Sequence, residues 1–181
     1  MNHFGRRCGA IVVLLSGLAG CGKPPIEEAV QKDDRKAVTE ALAKGADVNA
    51  EVGNGDTALL IAAKQGQSSS AQALIEGGAD IKVRDADGYS VLHHAAASGM
   101  TGICRLLVER GIPIGEKGPG GATPLHLAVA NSRQETAKFL VRHGASLDDK
   151  DDSGTTPLDM ATRTDPHFAT DLKLAATMRA N

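Results

Sequence analysis

Apolar residues recur along this chain in pairs of short blocks. A Leu and an Ala three positions apart mark the first block: Leu59 and Ala62, Leu92 and Ala95, Leu125 and Ala128, Leu158 and Ala161. That spacing puts both on one face of a helix. The second block ends in two adjacent apolar residues with a glycine close behind: Ala41-Leu42 before Gly45, Leu74-Ile75 before Gly78, Leu107-Val108 before Gly111 and Leu140-Val141 before Gly144. That glycine reads as a helix C-cap. Gly55, Gly88, Gly121 and Gly154 stand 33 residues apart. Carried back, the register lands on Gly22, with Ile26 and Ala29 in the Leu and Ala slots. A fixed period of this length predicts a stack of like units, not one globular core.

The phrase that opens each unit has a physical meaning. Its clearest copy is Gly121-Ala122-Thr123-Pro124-Leu125-His126-Leu127-Ala128. The Gly permits a sharp turn with positive φ. The hydroxyl of Thr57, Ser90, Thr123 or Thr156 can cap a helix N-terminus. Pro124 and Pro157 fall in the first helical turn, where a missing N–H costs nothing. Each unit is therefore expected to run turn, short helix, loop, second helix, cap.

The period, the Thr-Pro-Leu-His wording and the Gly-Ala-Asp endings, with Val48-Asn49-Ala50 after the first, resemble the ankyrin repeat. The resemblance covers residues 22 to about 175. It implies an all-α ankyrin-repeat solenoid of about five helix–turn–helix units with hairpin loops, in a domain over 26–181. The units are 22–54, 55–87, 88–120, 121–153 and 154–181. The first unit lacks the wording and has Asp33 where later units have Gly66 or Gly99. The last has Asp159 in the His slot and Lys173 in an apolar slot. Both departures suit the solvent-facing ends that a stacked array needs. Helices are expected near 26–31 and 35–43. The second helix of unit two carries Ser68-Ser69-Ser70, poor helix formers, and is expected to be the weakest. The loop 115–121 is expected to be the loosest. Asp165-Pro166 should start the last helix, and the final residues should fray.

The chain has no Trp, one Tyr and three Phe, which an Ala/Leu-rich solenoid tolerates. Its net charge is −2, and no basic stripe favours nucleic acid. Residues 1–20 stand outside the repeats. Arg6-Arg7 precede an apolar run from Ala10 to Ala19, interrupted by Ser16 and Gly17. The run is shorter than the roughly 20 residues a membrane span needs, and reads as a secretory signal peptide. Leu18-Ala19-Gly20-Cys21 at its end resembles the lipobox of bacterial lipoproteins. That resemblance implies cleavage before Cys21, its lipidation, and a tether of residues 21–25; plain cleavage after Ala19 is the alternative. Without residues 1–20 the chain has 18 basic and 22 acidic residues, about −4. Gly22 is not the Asp that favours inner-membrane retention, so the expected place is the outer membrane, facing the periplasm.

Candidate chemistry is sparse. His93 and His126 share one slot of adjacent units, where the resemblance implies a structural histidine; no third ligand recurs with metal spacing. His94 and His143 invite no separate role, and His143 precedes a helix C-cap, where an imidazolium suits the dipole. Asp149 to Gly154 opens like an EF-hand loop, but Met160 stands where the closing acid belongs. Cys104 aligns with Val38, Ala71 and Ala137 and is expected to be buried and inert. Nucleophile-elbow, zincin and phosphate-loop motifs are missing. The expectation is a non-catalytic module with no cofactor, no metal and no small-molecule substrate, acting as a monomer.

A stacked array leaves a concave face of loop tips and first-helix surface. In unit register its positions include Glu51, Asn54, Asp56, Lys64 and Gln65, and further along Ala130, Arg163 and Thr164. The residues expected to touch a protein partner are Arg84, Asp87, Tyr89 and Ser98, then Lys117, Ala122 and Asn131, then Lys150, Asp152 and Thr155. Tyr89 ranks first, as the only Tyr and at a tip where packing does not call for it; aromatics are enriched among hot spots. The implied job is binding a periplasmic protein as adaptor or stabiliser. An immunity-type inhibitor of a periplasm-acting toxin is the alternative, ahead of an enzyme with a site in the groove.

Overall fold

Residues 26–52 and 55–178 are described by a computed structural model. The expected signal peptide, Cys21 with its tether, Asn54 and the last residues, 179–181, lie outside the described residues. The order is α1 (Ile26–Gln31), α2 (Arg35–Ala43), β1 (Glu51–Val52), β2 (Asp56–Thr57), α3 (Ala58–Gln65), α4 (Ser68–Glu76), α5 (Val91–Ser98), α6 (Thr101–Glu109), a 3-10 turn (Pro119–Gly121), α7 (Pro124–Ala130), α8 (Gln134–Arg142), α9 (Pro157–Thr164) and α10 (Pro166–Thr177). This is the expected series of helix pairs, and α1 and α2 have the expected bounds. β1 and β2 form a two-stranded antiparallel hairpin, pairing Glu51 with Thr57. A single bridge, Arg84 to Ser90, marks the next hairpin. No helix among the described residues is long and apolar enough to cross a membrane.

Local chemistry sets the helix starts. Thr57, Ser90, Thr123 and Thr156 are extended, and each hydroxyl accepts the backbone N–H three residues on. Pro124 and Pro157 occupy the first turn of α7 and α9. Asp165 caps α10 by accepting from the amides of His167 and Phe168.

Between the two helices of a unit the chain turns through the left-handed region. Gly66 and Gly99 do this at φ 74° and 80°. Asp33 and Ser132 occupy the same slot at φ 49° and 56°, at some steric cost for a residue with a Cβ. Asp33 returns something for that cost. Its carboxylate accepts from the amides of Ser70 (2.8 Å) and Ser69 (3.4 Å), at the start of α4. α4 has no side-chain cap of its own, so the cap comes from the preceding unit. Asp33 thus turns its carboxylate toward the second unit. The Ser70 hydroxyl, in contrast, is buried without a hydrogen-bond partner, which costs free energy.

The core runs the length of the stack. Leu59, Leu60, Leu74, Ile75, Leu92, Leu107, Leu125, Leu140 and Leu172 are fully buried, each contributing about 1.5–3 kcal/mol. Ala62, Ala63, Ala95, Ala96 and Ala128 are also buried, and their small side chains let α3, α5 and α7 lie close together. From α3 to α8 the first helices pack on one another more closely than the second helices do, so the stack bends toward the first-helix side. The last unit reverses this: α9 sits less closely on α7, while α10 packs firmly on α8. The loop 115–121 is well tied, against expectation. The Gly118 amide donates to Ala122 O (2.8 Å), the Asp152 amide to Gly120 O (2.8 Å), and Lys117 Nζ to Lys150 O (3.0 Å). A Cβ on Gly121, at φ 68°, would stand 2.6 Å from Asp152 Oδ1, so adjacent tips approach closely there.

Cys104 is buried as expected, and burial pushes its thiol up to about 12.

Gly102, in the first turn of α6, is a weak point: a Cβ added there would meet nothing within 4 Å. Gly102→Ala should raise unfolding free energy by about 0.5–1 kcal/mol through helix propensity and a less free unfolded chain. Urea denaturation checks this; a lower midpoint would contradict it.

Candidate partner-binding face

The slot three residues after each cap decides how units join. His93 Nδ1 faces the Ser90 amide (3.4 Å) and hydroxyl (2.8 Å), and its Nε2 lies 3.1 Å from Ala122 O of the next unit. His126 repeats this with the Thr123 amide (3.1 Å) and Thr155 O (3.2 Å). The partners imply the tautomer: Nδ1 accepts from a backbone N–H, so Nε2 carries the proton and donates to the carbonyl. Asp159 fills the slot in the last unit. Its carboxylate accepts from the Thr156 amide (3.1 Å) and hydroxyl (2.8 Å), keeping the cap without a reach to a following unit. These contacts hold His93 and His126 in the scaffold.

Charged groups gather at the hairpin of the third unit. Lys64 Nζ lies 2.7 Å from Asp56 and 3.2 Å from Asp85. Asp85 also accepts from His94 Nε2 (2.8 Å) and from the Tyr89 amide (2.9 Å). Burial works against the Asp85 charge, but His94, the Tyr89 amide and Lys64 outweigh it and hold the carboxyl at about 2. Arg84 donates to Gly88 O (2.7 Å) and to Glu116 (2.9 Å). Glu116 also accepts from the Ser90 hydroxyl.

The residues expected to bind a partner fall into two sets. Arg84, Asp87, Lys117, Lys150 and Asp152 are exposed at successive tips, with Ala122 and Thr155 half-buried beside them. Ser98 and Asn131 sit at the ends of α5 and α7. Several have internal work. Ser98 Oγ donates to Ala63 O (3.1 Å), and Asn131 Nδ2 to Leu127 O (2.8 Å). The Ala122 and Thr155 carbonyls receive the two imidazoles. Tyr89 requires correction. It is half-buried, and its ring packs edge-on against His93 (5.7 Å) and His94 (5.9 Å). Packing does call for it, so its loss should disturb the unit as well as any partner. Residues not anticipated on this face are His94, which bonds Asp85, and Met160, which lines a depression with Arg163. Met160 lies three positions before Arg163, so helical spacing was the signal that could have found it.

Ser90, His93 and Glu116 sit together, yet they form no nucleophile relay. A base needs a free nitrogen toward an accessible serine; here His93 Nδ1 already accepts from the Ser90 amide, and Ser90 is a buried helix cap. The EF-hand-like stretch is a turn: Asp151 Oδ1 accepts from the Ser153 and Thr155 amides (3.0 and 2.8 Å). Among the described residues no group of three or more His, Cys, Asp or Glu is placed to hold a metal.

The fold and its joints define a helical repeat solenoid with a concave face built from first helices and hairpin tips. The family model for ankyrin repeats (three copies) matches residues 26–118 and 113–172, so the chain belongs to the ankyrin-repeat family. Ankyrin repeats are protein-interaction modules, generally non-catalytic. Comparison with curated proteins returns no match.

Burial disfavours the imidazolium and holds His93 below the usual histidine value, although the Ala122 carbonyl and Glu116 pull the other way. An unfolded chain binds this proton near pH 6.5, about one histidine's ordinary value. Stability from His93 is therefore whole above about pH 6.5 and is lost as pH falls toward the folded value. Asp85 adds a separate loss between about pH 4 and 2. Thermal melts from pH 7.5 to 5.5 should show a smaller fall in His93→Gln than in the natural chain; equal falls would contradict the assignment.

Proposed function

We propose that this chain is a lipid-anchored binding module of the bacterial envelope. It captures a periplasmic protein on its concave face as an adaptor or stabiliser, and Cys21 carries the anchor. The observation that supports it most is the pairing of an ankyrin array, beginning at Ile26, with Leu18-Ala19-Gly20-Cys21 at the end of an apolar run. Binding follows from the family; the address follows from the N-terminal wording. Gly22 to Pro25 give four residues between anchor and first helix, a reach of about 15 Å when extended. The first unit would then stand at the membrane surface, with the concave face open to proteins near it. Two or more acyl chains on Cys21 would hold it stably. The absence of Asp after Cys21 supports the outer membrane.

The anchor is tested with labelled palmitate in cells making the natural chain or Cys21→Ala. Label and membrane association are expected in the first and lost in the second; an unlabelled natural chain removes the anchor. Crosslinking in intact envelopes then tests the partner. Recovery of a resident periplasmic protein supports the adaptor reading, and recovery of a toxin alone replaces it with the inhibitor.

A further inference from the structure

The concave face has two unlike halves. Toward the N-terminus several of its charges are engaged internally: Lys64 with Asp56 and Asp85, His94 with Asp85, Arg84 with Glu116. Toward the C-terminus the tips carry exposed Lys117, Lys150 and Asp152, but an apolar floor lies between the first helices. A depression of about 280 Å³ lies between α7 and α9, lined by Val129, Ala130, Met160, Arg163 and Thr164. Ala130 is exposed and too small to fill it.

Arg163 is the one lining side chain with polar capacity to spare. The Thr164 hydroxyl bonds to Met160 O (2.9 Å). Arg163 uses Nε toward Asp159 O (3.3 Å), a backbone carbonyl of its own helix. The nearby Asp159 carboxylate is held by Thr156. Guanidinium donors beside an apolar floor suit a carboxylate next to an aliphatic side chain. The volume lies below the roughly 300–1,000 Å³ typical of small-molecule pockets, but accepts a side chain of a protein segment.

We propose that the depression between α7 and α9 is the anchoring subsite for a protein segment carrying a bulky aliphatic residue next to an Asp or Glu, with the aliphatic group against Ala130 and Met160 and the carboxylate on Arg163. This rests on the concave-face reading above and names the chemistry of the partner.

The test is selection of a random linear peptide library against the immobilised full chain, followed by affinity measurement with the synthetic consensus peptide. The selected peptides should share a Leu, Ile or Met within two positions of an Asp or Glu. Ala130→Arg, which fills the depression, and Arg163→Glu should each weaken the consensus peptide tenfold or more. Replacing its acid with Lys should recover binding to Arg163→Glu. Ala130 is exposed, so the Ala130→Arg melt should match the natural chain; Arg163→Glu, which loses the contact to Asp159 O, should melt slightly lower but stay folded. A consensus without the pair, no selection above a scrambled control, or affinities unchanged within twofold would overturn the subsite. Binding lost in Ser98→Arg but kept in Ala130→Arg would remove the subsite and leave the concave-face reading standing. Self-association of the chain that Ala130→Arg abolishes would give the depression to a second copy and overturn the proposal.

Discussion

The joint between units depends on an imidazole with one proton. In His93 and His126 one ring nitrogen accepts from the helix cap, and the other donates to a carbonyl of the next turn, 3.1 and 3.2 Å away. A second proton would remove the acceptor; a lost ring would free the cap and the joint together. A repeat buries too little to stand alone, so its stability is largely what its neighbours give it. The same joint sets tip spacing, because the carbonyls it takes, Ala122 and Thr155, belong to the hairpins. Side chains at those tips are held at the period of the stack.

That arrangement decides what is left for a partner. Residues in the phrase are used for capping and stacking. Arg84, Ser98, Asn131 and Lys117 are exposed or half-exposed but have internal partners. The pair of Arg84 with Glu116, whose carboxylate is mostly buried, orients the tips. The last unit, with Asp159 in place of an imidazole, is where an apolar depression opens on the inner surface.

The period, the caps at Thr57, Ser90, Thr123 and Thr156, and the stop-start at Asp165-Pro166 were legible because each is a local rule written within a few residues. The burial of Cys104 was legible because the register aligned it with small apolar residues. What the sequence could not carry was contact across units. Asp33 looked like a polar end until α4 was placed beside it. Tyr89 looked free because its neighbours, His93, His94 and Gly118, come together only when the helix and the following loop fold back. The depression between α7 and α9 depends on a helix spacing that no pattern of residue types records.

The most direct measurement of the account is native-state hydrogen exchange on the full chain with His126→Ala. If the imidazole couples units, amides of α9 and α10 should lose protection strongly, those of α7 and α8 partly, and those of α3 and α4 least. Equal loss along the whole stack, or no loss in α9 and α10, would contradict it.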